Sequence, residues 1–158
     1  MPDKKKHLTR LDRVFPRHPT YFITTTTVDR RKVLDSSAVH EIFTEVWENC
    51  VDLYGWSTGP YVIMPDHVHF FVQSGNEDAI ELSHFVGKWK EWTSKYLDRR
   101  LGIPAPLWQP EFFDHVIRST ESFRKKVEYV WQNPVRAGLV EEPKDWKFRG
   151  NASDWIIC

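Results

Sequence analysis

Residues 64–72 of this 158-residue chain form an apolar run that is interrupted by two histidines, His67 and His69. Successive side chains of a β-strand point to opposite faces, so the two histidines lie on one face and Val68 lies on the other. The imidazoles are then about 7 Å apart along the strand, and neutral imidazole is the commonest protein ligand for metal ions. The pattern therefore predicts a strand that presents a metal-binding pair. A polar strand face that merely contains two histidines is the alternative interpretation.

Hydrophobic periodicity on both sides of this strand predicts an α+β domain. The predicted strands lie at residues 21–28, 56–64, 67–73 and 112–118, and the predicted helices at residues 38–53, 79–101 and 121–132. Ser36 or Ser37 is expected to cap the first helix and Thr120 the last. The order β-α-β-β-α-β-α is that of a ferredoxin-like split β-α-β antiparallel sheet with an added C-terminal helix, which carries Tyr129.

The length and the 41% hydrophobic content suit a single domain, residues 1–158, with its own core. Within it, residues 1–19 are expected to form a basic arm and residues 141–158 a C-terminal tail. No run approaches the roughly eighteen apolar residues that a membrane span needs, and the charged start precedes no apolar segment. We therefore expect a cytoplasmic protein that binds no membrane. With only two cysteines, a metal would be held by nitrogen and oxygen ligands.

The formal charge is zero, but the charges are separated along the sequence. Residues 33–87 contain nine acids and no Lys or Arg, so the rest of the chain has 22 basic and 13 acidic residues. This separation predicts one acidic and one basic face, and a basic face binds nucleic acid. Scattering of the charges in three dimensions is the alternative. The helix at 79–101 mixes basic and aromatic residues, which fits either a nucleic-acid surface or an amphipathic helix with its rings in the core.

The last predicted helix places Tyr129 and Asn133 four residues apart, about one turn, on the same face. If this helix crosses the sheet face that bears the histidines, Asn133 offers an amide oxygen as a third ligand and the Tyr129 hydroxyl lies beside the ion. A deprotonated tyrosine oxygen attacks phosphorus, and a divalent cation polarises the phosphate. Taken singly, Tyr129 also fits a half-buried packing residue, and Asn133 before Pro134 also fits a helix end.

Four stretches of the chain resemble the HUH single-strand endonucleases, and specifically single-tyrosine transposases of the REP-associated type in the IS200-like family. The stretches are residues 21–31 (YFITTTTVDRR), 64–72 (MPDHVHFFV), 108–118 (WQPEFFDHVIR) and 129–140 (YVWQNPVRAGLV). The resemblance implies that His67 and His69 bind Mg²⁺ or Mn²⁺. It also implies that Tyr129 attacks a single-stranded DNA phosphodiester, leaving a 5′-phosphotyrosine link and a free 3′-hydroxyl. The implied third ligand, one turn after the tyrosine, is Asn133, with the adjacent Gln132 as the alternative.

The resemblance further implies a metal-dependent endonuclease and strand transferase whose substrate is hairpin or palindromic-repeat DNA. From charge and position, we expect DNA contacts at Arg118, Arg124, Lys125, Lys126 and Arg136 and in the basic arm. Asp66 either orients an imidazole or only forms a turn.

Several alternatives stay open from the sequence. Related single-tyrosine transposases are dimers that exchange the tyrosine helix, whereas the REP-associated type is compatible with a monomer, so both states are open. Two other functions are also open. One is a non-catalytic nucleic-acid-binding domain on the same fold, and the other is a metal-dependent hydrolase in which water attacks in place of Tyr129.

Overall fold

A computed structural model describes residues 19–75 and 78–157, which form an antiparallel sheet with helices on both faces. The strands are β1 (Thr20–Thr26), β2 (Trp56–Ile63), β3 (His67–Ser74), β4 (Phe113–Ile117) and β5 (Arg149–Asn151). The helices are α1 (Ser37–Tyr54), α2 (Leu82–Leu101), α3 (Thr120–Trp131) and the short α4 (Asn133–Arg136). Two 3-10 turns lie at Val28–Arg30 and Pro143–Asp145. The predicted basic arm, apart from Pro19, lies outside the described residues.

The strand order is β4-β1-β3-β2-β5, and every neighbouring pair is antiparallel. The first four strands of the chain therefore have the ferredoxin-like arrangement, and the predicted fold class is confirmed. The fifth strand was not predicted. It contains only three residues and pairs with β2 at the sheet edge, so it is too short to produce an alternating pattern. In the described part of the chain, no helix has the length and apolar character needed to cross a membrane.

Serine side chains cap two of the helices. Ser36 caps α1, since its Oγ accepts a hydrogen bond from the Val39 amide at 3.2 Å. The predicted Thr120 cap of α3 is wrong, because Thr120 is already helical. Ser119 has the extended backbone of a cap, and its Oγ accepts from the Ser122 amide at 3.1 Å.

The other helix ends differ from the prediction for local reasons. Helix α2 begins at Leu82, later than predicted, because the backbone of Ile80 is bonded elsewhere. The Ile80 amide donates to the Tyr54 carbonyl, and its own carbonyl accepts from the Trp56 indole. Helix α3 ends at Trp131, and Pro134 lies in the first turn of α4, where its missing N–H leaves no bond unmade.

One face of the sheet is covered by α1 and α2, and we call it the closed face. Its core contains many large buried rings, among them Phe43, Trp47, Phe70, Trp89 and Trp108. The rings of Trp47 and Trp89 stack with their centroids 5.6 Å apart. A continuous aromatic core of this kind supplies most of the apolar burial on which the fold depends.

The interpretation of α2 as an amphipathic helix is supported, because Phe85 and Trp89 are fully buried in this core. The separation of charge is only partial in space. The acids of α1 lie on the closed side of the sheet, as expected for a face turned away from nucleic acid. The basic end of α2 lies there too, and Arg100 pairs with Glu45 at 2.5 Å.

The opposite face, which we call the open face, is covered by α3 and by the C-terminal segment, residues 141–157. Phe123 of α3 packs edge-on against Phe71 of β3, with ring centroids 5.2 Å apart. Two buried indoles of the segment donate hydrogen bonds to residues of β2. Trp155 donates to Ser57 Oγ at 2.8 Å, and Trp146 donates to the carbonyl of Ile63, the last residue of the strand, at 3.0 Å. The segment is therefore a fixed part of the structure that supports α3.

Two glycines allow this segment to lie directly on β2. A Cβ atom at Gly59 would overlap the ring of Trp155, and one at Gly150 would lie 2.6 Å from the Tyr61 hydroxyl. Neither position therefore tolerates a side chain while its neighbour stays in place.

Candidate active site

The two histidines lie side by side on the open face of β3. Val68, between them, is fully buried in the core of the closed face. The rings of His67 and His69 meet nearly at right angles, with centroids 4.8 Å apart. The predicted placement of both imidazoles on one face of one strand is therefore confirmed.

Each imidazole is fixed through its Nδ1 atom. His67 Nδ1 lies 2.7 Å from Asp66 Oδ1, and His69 Nδ1 lies 2.7 Å from Thr24 Oγ1. In the described residues no hydrogen bond reaches either Nε2. With Nδ1 as the protonated nitrogen of each ring, both Nε2 lone pairs are free to bind a metal ion, as is usual for metal-binding histidines.

Asp66 is itself held in place, because Arg30 Nε donates to its second oxygen at 3.2 Å. Burial raises the pKa of Asp66, but the hydrogen bond from His67 and the charges of His67 and Arg30 outweigh it, so the net pKa is lowered. A fixed, ionised carboxylate that accepts from the first histidine supports an orienting role for Asp66 rather than that of a turn residue alone.

The electrostatics keep His69 in the form that binds metal. Burial, together with the positive charges of His67, Lys126 and Arg136, lowers the pKa of His69 to about 3. The imidazole is therefore neutral at physiological pH. Lys126 of α3 and Arg136 of α4 thus direct positive charge toward the histidine pair.

Tyr129 is connected to the pair by a series of ring contacts. Its ring is 56% exposed and lies between two cations. Lys126 Nζ is 5.1 Å from the ring centroid, and the guanidinium carbon of Arg136 is 3.9 Å from it. Lys126 Nζ also lies 4.6 Å above the Phe22 ring, which stacks on His69 with centroids 5.2 Å apart. Helix α3 therefore crosses the face that bears the histidines, as the spacing argument required.

Asn133 and Gln132, the two candidate third ligands after Tyr129, differ in their hydrogen bonds. Asn133 begins α4, and its Oδ1 accepts a hydrogen bond from Arg136 Nη2, which also donates to the Tyr129 carbonyl at 2.7 Å. The Gln132 side chain is exposed and makes no hydrogen bond to another described residue. Neither amide is hydrogen-bonded to His67 or His69 within the described ranges, so the choice of third ligand stays a prediction.

The donor set fits a divalent cation. Within residues 19–75 and 78–157, no group of three His, Cys, Asp or Glu side chains could hold a metal ion. Two oriented imidazoles and one amide oxygen would leave positions for water or phosphate oxygens, which hard cations such as Mg²⁺ commonly keep.

Sequence and structure comparisons match this geometry to a known family. Residues 18–133 match the family described as transposase IS200 like. The chain belongs to the IS200-like transposase family. The family predicted from the four sequence stretches is therefore confirmed, as is the prediction that the protein is an enzyme.

Two curated relatives and one solved structure are similar over most of this transposase. A REP-associated tyrosine transposase of Escherichia coli (strain K12) is 28% identical over 142 residues, which cover 86% of this chain and 78% of the relative. A Haemophilus influenzae protein, provisionally named as the same kind of transposase, is 28% identical over 144 residues, covering 86% and 81%. A structure of a REP-associated tyrosine transposase bound to a REP hairpin has a TM-score of 0.68 at 24% identity, covering 83% of this chain and 75% of that one. The last likeness shows a shared fold.

The basic residues expected to contact DNA fall into two groups in this transposase. Lys126 and Arg136 touch Tyr129, as described above. Arg118, Arg124 and Lys125 are exposed on α3 and on the turn before it, with Lys125 Nζ 3.0 Å from Glu121 Oε1. Their role in binding stays a prediction.

Asp66 was predicted from the sequence as a residue that could orient an imidazole, but Thr24 and Arg30, which complete the contacts that fix the two rings in this transposase, were not. Thr24 faces His69 across the β1–β3 pair, a register that cannot be read from either strand alone. Arg30 lies in the charged segment after β1 and reaches Asp66 across the sheet end. Thr24 is the first of four consecutive threonines, residues 24–27, and nothing in that run distinguishes it from the others.

Proposed function

We propose that this IS200-like transposase is a metal-dependent single-stranded DNA endonuclease and strand transferase that cleaves hairpin or palindromic-repeat DNA through a 5′-phosphotyrosine intermediate. The observation that carries this proposal is the contact series from Tyr129 through Lys126 and Phe22 to His69. It brings an exposed phenol to the same side of the sheet as two imidazoles that are oriented through their Nδ1 atoms. A hairpin substrate is supported by the relatives' names and by the REP hairpin bound in the protein of similar fold.

In this proposal, His67 and His69 hold Mg²⁺ or Mn²⁺ through their Nε2 atoms, with the Asn133 amide oxygen as third ligand and Gln132 as the alternative. When bound, the cation polarises the scissile phosphate and offsets its developing charge. Asp66 and Thr24 keep the rings in orientation through their Nδ1 atoms.

Tyr129 supplies the nucleophile. Its hydroxyl oxygen forms a bond to phosphorus as the bond from phosphorus to the 3′ oxygen breaks, and the phenol proton is lost. The leaving oxygen takes up a proton to become the free 3′-hydroxyl, while the 5′-phosphate stays on the tyrosine. Lys126 and Arg136, on either side of the Tyr129 ring, offset negative charge on the phosphate. Attack of a 3′-hydroxyl on this link transfers the strand.

The basic side chains of α3 and α4 support single-stranded DNA as the partner. Lys126 and Arg136 would meet the scissile phosphate, and Arg118, Arg124 and Lys125 would meet phosphates along the strand. The acids of α1, on the closed side of the sheet, stay clear of this path.

The packing of α3 bears on the number of subunits that one site needs. Phe123, Val127 and Val130 are buried in the open-face core of their own chain. This packing supports a site in which Tyr129 and the histidines come from one subunit and which works in a monomer. A homodimer with two such complete sites is equally compatible.

The proposal is tested by a denaturing gel of wild type and Tyr129→Phe after incubation with labelled single-stranded hairpin DNA and Mg²⁺. We expect a covalent protein–DNA band in wild type and none in Tyr129→Phe, because the substitution removes only the attacking oxygen and keeps the ring. Tyr96→Phe is the matched control, because this half-buried tyrosine lies on α2 at the closed face, and it should form the band.

Two outcomes would contradict the proposal. Equal cleavage by wild type and Tyr129→Phe without a covalent band would favour the hydrolase in which water attacks. Binding to several hairpins without any cleavage would favour the non-catalytic nucleic-acid-binding domain.

A further inference from the structure

An exposed aromatic ring lies on the open face beside the histidine pair. Phe113 is the first residue of β4, and it is 58% exposed. Across the sheet, Thr24 of β1 is the partner of both Phe113 on β4 and His69 on β3. Directly paired residues of antiparallel strands share a face, so Phe113, Thr24 and His69 form one row. Two strand spacings put the Phe113 and His69 backbones about 10 Å apart.

Helix α3 leaves the Phe113 end of this row exposed, whereas Thr24 and His69 are partly buried. In the next row, Phe22 and Phe71 are buried beneath Phe123 and Lys126. Phe113 touches only the edge of this layer, with its ring centroid 6.5 Å from that of Phe22 at a 71° angle. Single exposed apolar residues are common on protein surfaces. This one shares a row with a candidate metal ligand and lies on the same face as the exposed Tyr129.

Lys126 and the exposed Phe113 lie against the same ring, that of Phe22. The Phe22 ring is contacted by Lys126 Nζ at 4.6 Å and by Phe113 at its edge. A single strand of nucleic acid offers the matching pair of groups, a charged phosphate and a flat base that stacks on aromatic rings. A purely apolar partner would leave the Lys126 charge without a counterpart.

We propose that Phe113 is a stacking platform for an unpaired nucleobase of the DNA strand whose phosphate lies at the histidine pair. This inference rests on the proposed function, since it takes single-stranded DNA as the substrate. The base belongs to a nucleotide that flanks the scissile phosphate, because the row places Phe113 two strands from His69. Stacking tolerates any base, so Phe113 sets the position of the strand rather than its sequence.

Affinity for single-stranded DNA tests the platform without any need for cleavage. Fluorescence anisotropy is measured in the Tyr129→Phe background with EDTA present. Phe113→Ala should weaken binding roughly 5- to 150-fold, the range for loss of one aromatic–base stack. Phe113→Trp should restore it. Leu53→Ala is the matched control, because Leu53 is 62% exposed on α1 at the closed side, and it should bind as the background does.

An abasic scan then locates the base. One abasic position in the oligonucleotide should weaken binding by the Phe113-containing protein as much as Phe113→Ala does. At that position Phe113→Ala should cause no further loss, because the stack is already missing. Equal affinity of Phe113→Ala and Leu53→Ala, or an equal Phe113→Ala loss at every abasic position, would overturn the platform. So would a change in sedimentation of the free protein, which would identify Phe113 as a subunit contact.

The platform and the proposed function fail in different ways. A wild-type covalent band together with a flat abasic scan leaves the chemistry and removes the platform. The expected coupling at one abasic position, without any covalent band, leaves the platform and removes the tyrosine chemistry.

Discussion

The two faces of the sheet differ in what they expose. On the closed face, α1 and α2 cover the sheet, and rings such as Trp47 and Trp89 are fully buried. On the open face, α3 covers only part of the sheet and leaves Tyr129 and Phe113 more than half exposed beside the histidines. One face thus supplies stability, and the other can keep polar and charged groups within reach of a substrate.

Strand β3 belongs to both faces at once. Val68, Phe70 and Val72 enter the closed core, and His67 and His69 alternate with them on the open side. The histidines are therefore carried by a backbone that is fixed from behind by close packing, which holds a site more firmly than a loop does.

The largest contrast between the faces is expected in stability. Trp89→Ala should lower the free energy of unfolding by about 3–5 kcal/mol, because it empties a large volume in the closed core. Phe113→Ala, the matched removal of an aromatic ring on the open face, should change it by less than about 0.5 kcal/mol. Urea denaturation of both variants measures the difference. Similar losses in both would show that the open face also carries the fold.

The second largest effect is expected on metal affinity, from the Asp66 carboxylate that is hydrogen-bonded to His67. Asp66→Asn should weaken Mn²⁺ binding roughly 10- to 100-fold, as is typical when the partner of a metal-binding histidine is changed. Isothermal titration with Mn²⁺ measures it. Asp114→Asn is the control, because this exposed acid pairs with Ile23 on β1 and so faces the closed side. Unchanged Mn²⁺ affinity in Asp66→Asn would leave Asp66 as a turn residue.

The smallest expected effect concerns the guanidinium that occupies the Asn133 oxygen. Arg136→Ala frees this oxygen, so Mn²⁺ binding should tighten roughly two- to ten-fold, the size of one hydrogen-bond contribution. Asn133→Ala should weaken it, which gives the two substitutions opposite signs in the same titration.

The control for charge is Arg136→Lys, which keeps the positive charge but not the forked contact. Tighter Mn²⁺ binding by both Arg136 variants would implicate the freed oxygen. Tighter binding by Arg136→Ala alone would implicate the charge near His69, and Asn133 would then lose its support as a ligand.

Regular patterns in the sequence predicted the parts of the fold that long elements determine. The alternation around Val68 placed both histidines on one face, and helical spacing predicted α1 with Ser36 or Ser37 as its cap, of which Ser36 is the one observed. The three-residue β5 produced no pattern. The cap of α3 was wrong by one residue because Ser119 and Thr120 are both good capping residues, and only backbone conformation distinguishes them.

The parts of the candidate site that consist of residues close together in sequence, such as His67 and His69, were predictable. The contacts Thr24–His69 and Arg30–Asp66 depend on strand register and on a turn, which no single segment encodes. Phe113 gave no signal, since an aromatic residue at the start of an edge strand is ordinary. The use of the Asn133 oxygen by Arg136 was also not predicted, because the contact spans one turn of α4, a short helix that lies beyond the predicted end of the last helix at residue 132.

The contact of Trp155 with the bare backbone of Gly59 has a consequence for the way this chain can diverge. Any side chain at position 59 excludes the indole ring, and the indole excludes any side chain there. A single change at position 59 therefore displaces the C-terminal segment that supports α3. Position 59 can therefore change only together with position 155, so among related sequences a smaller residue should stand at 155 wherever 59 is not glycine.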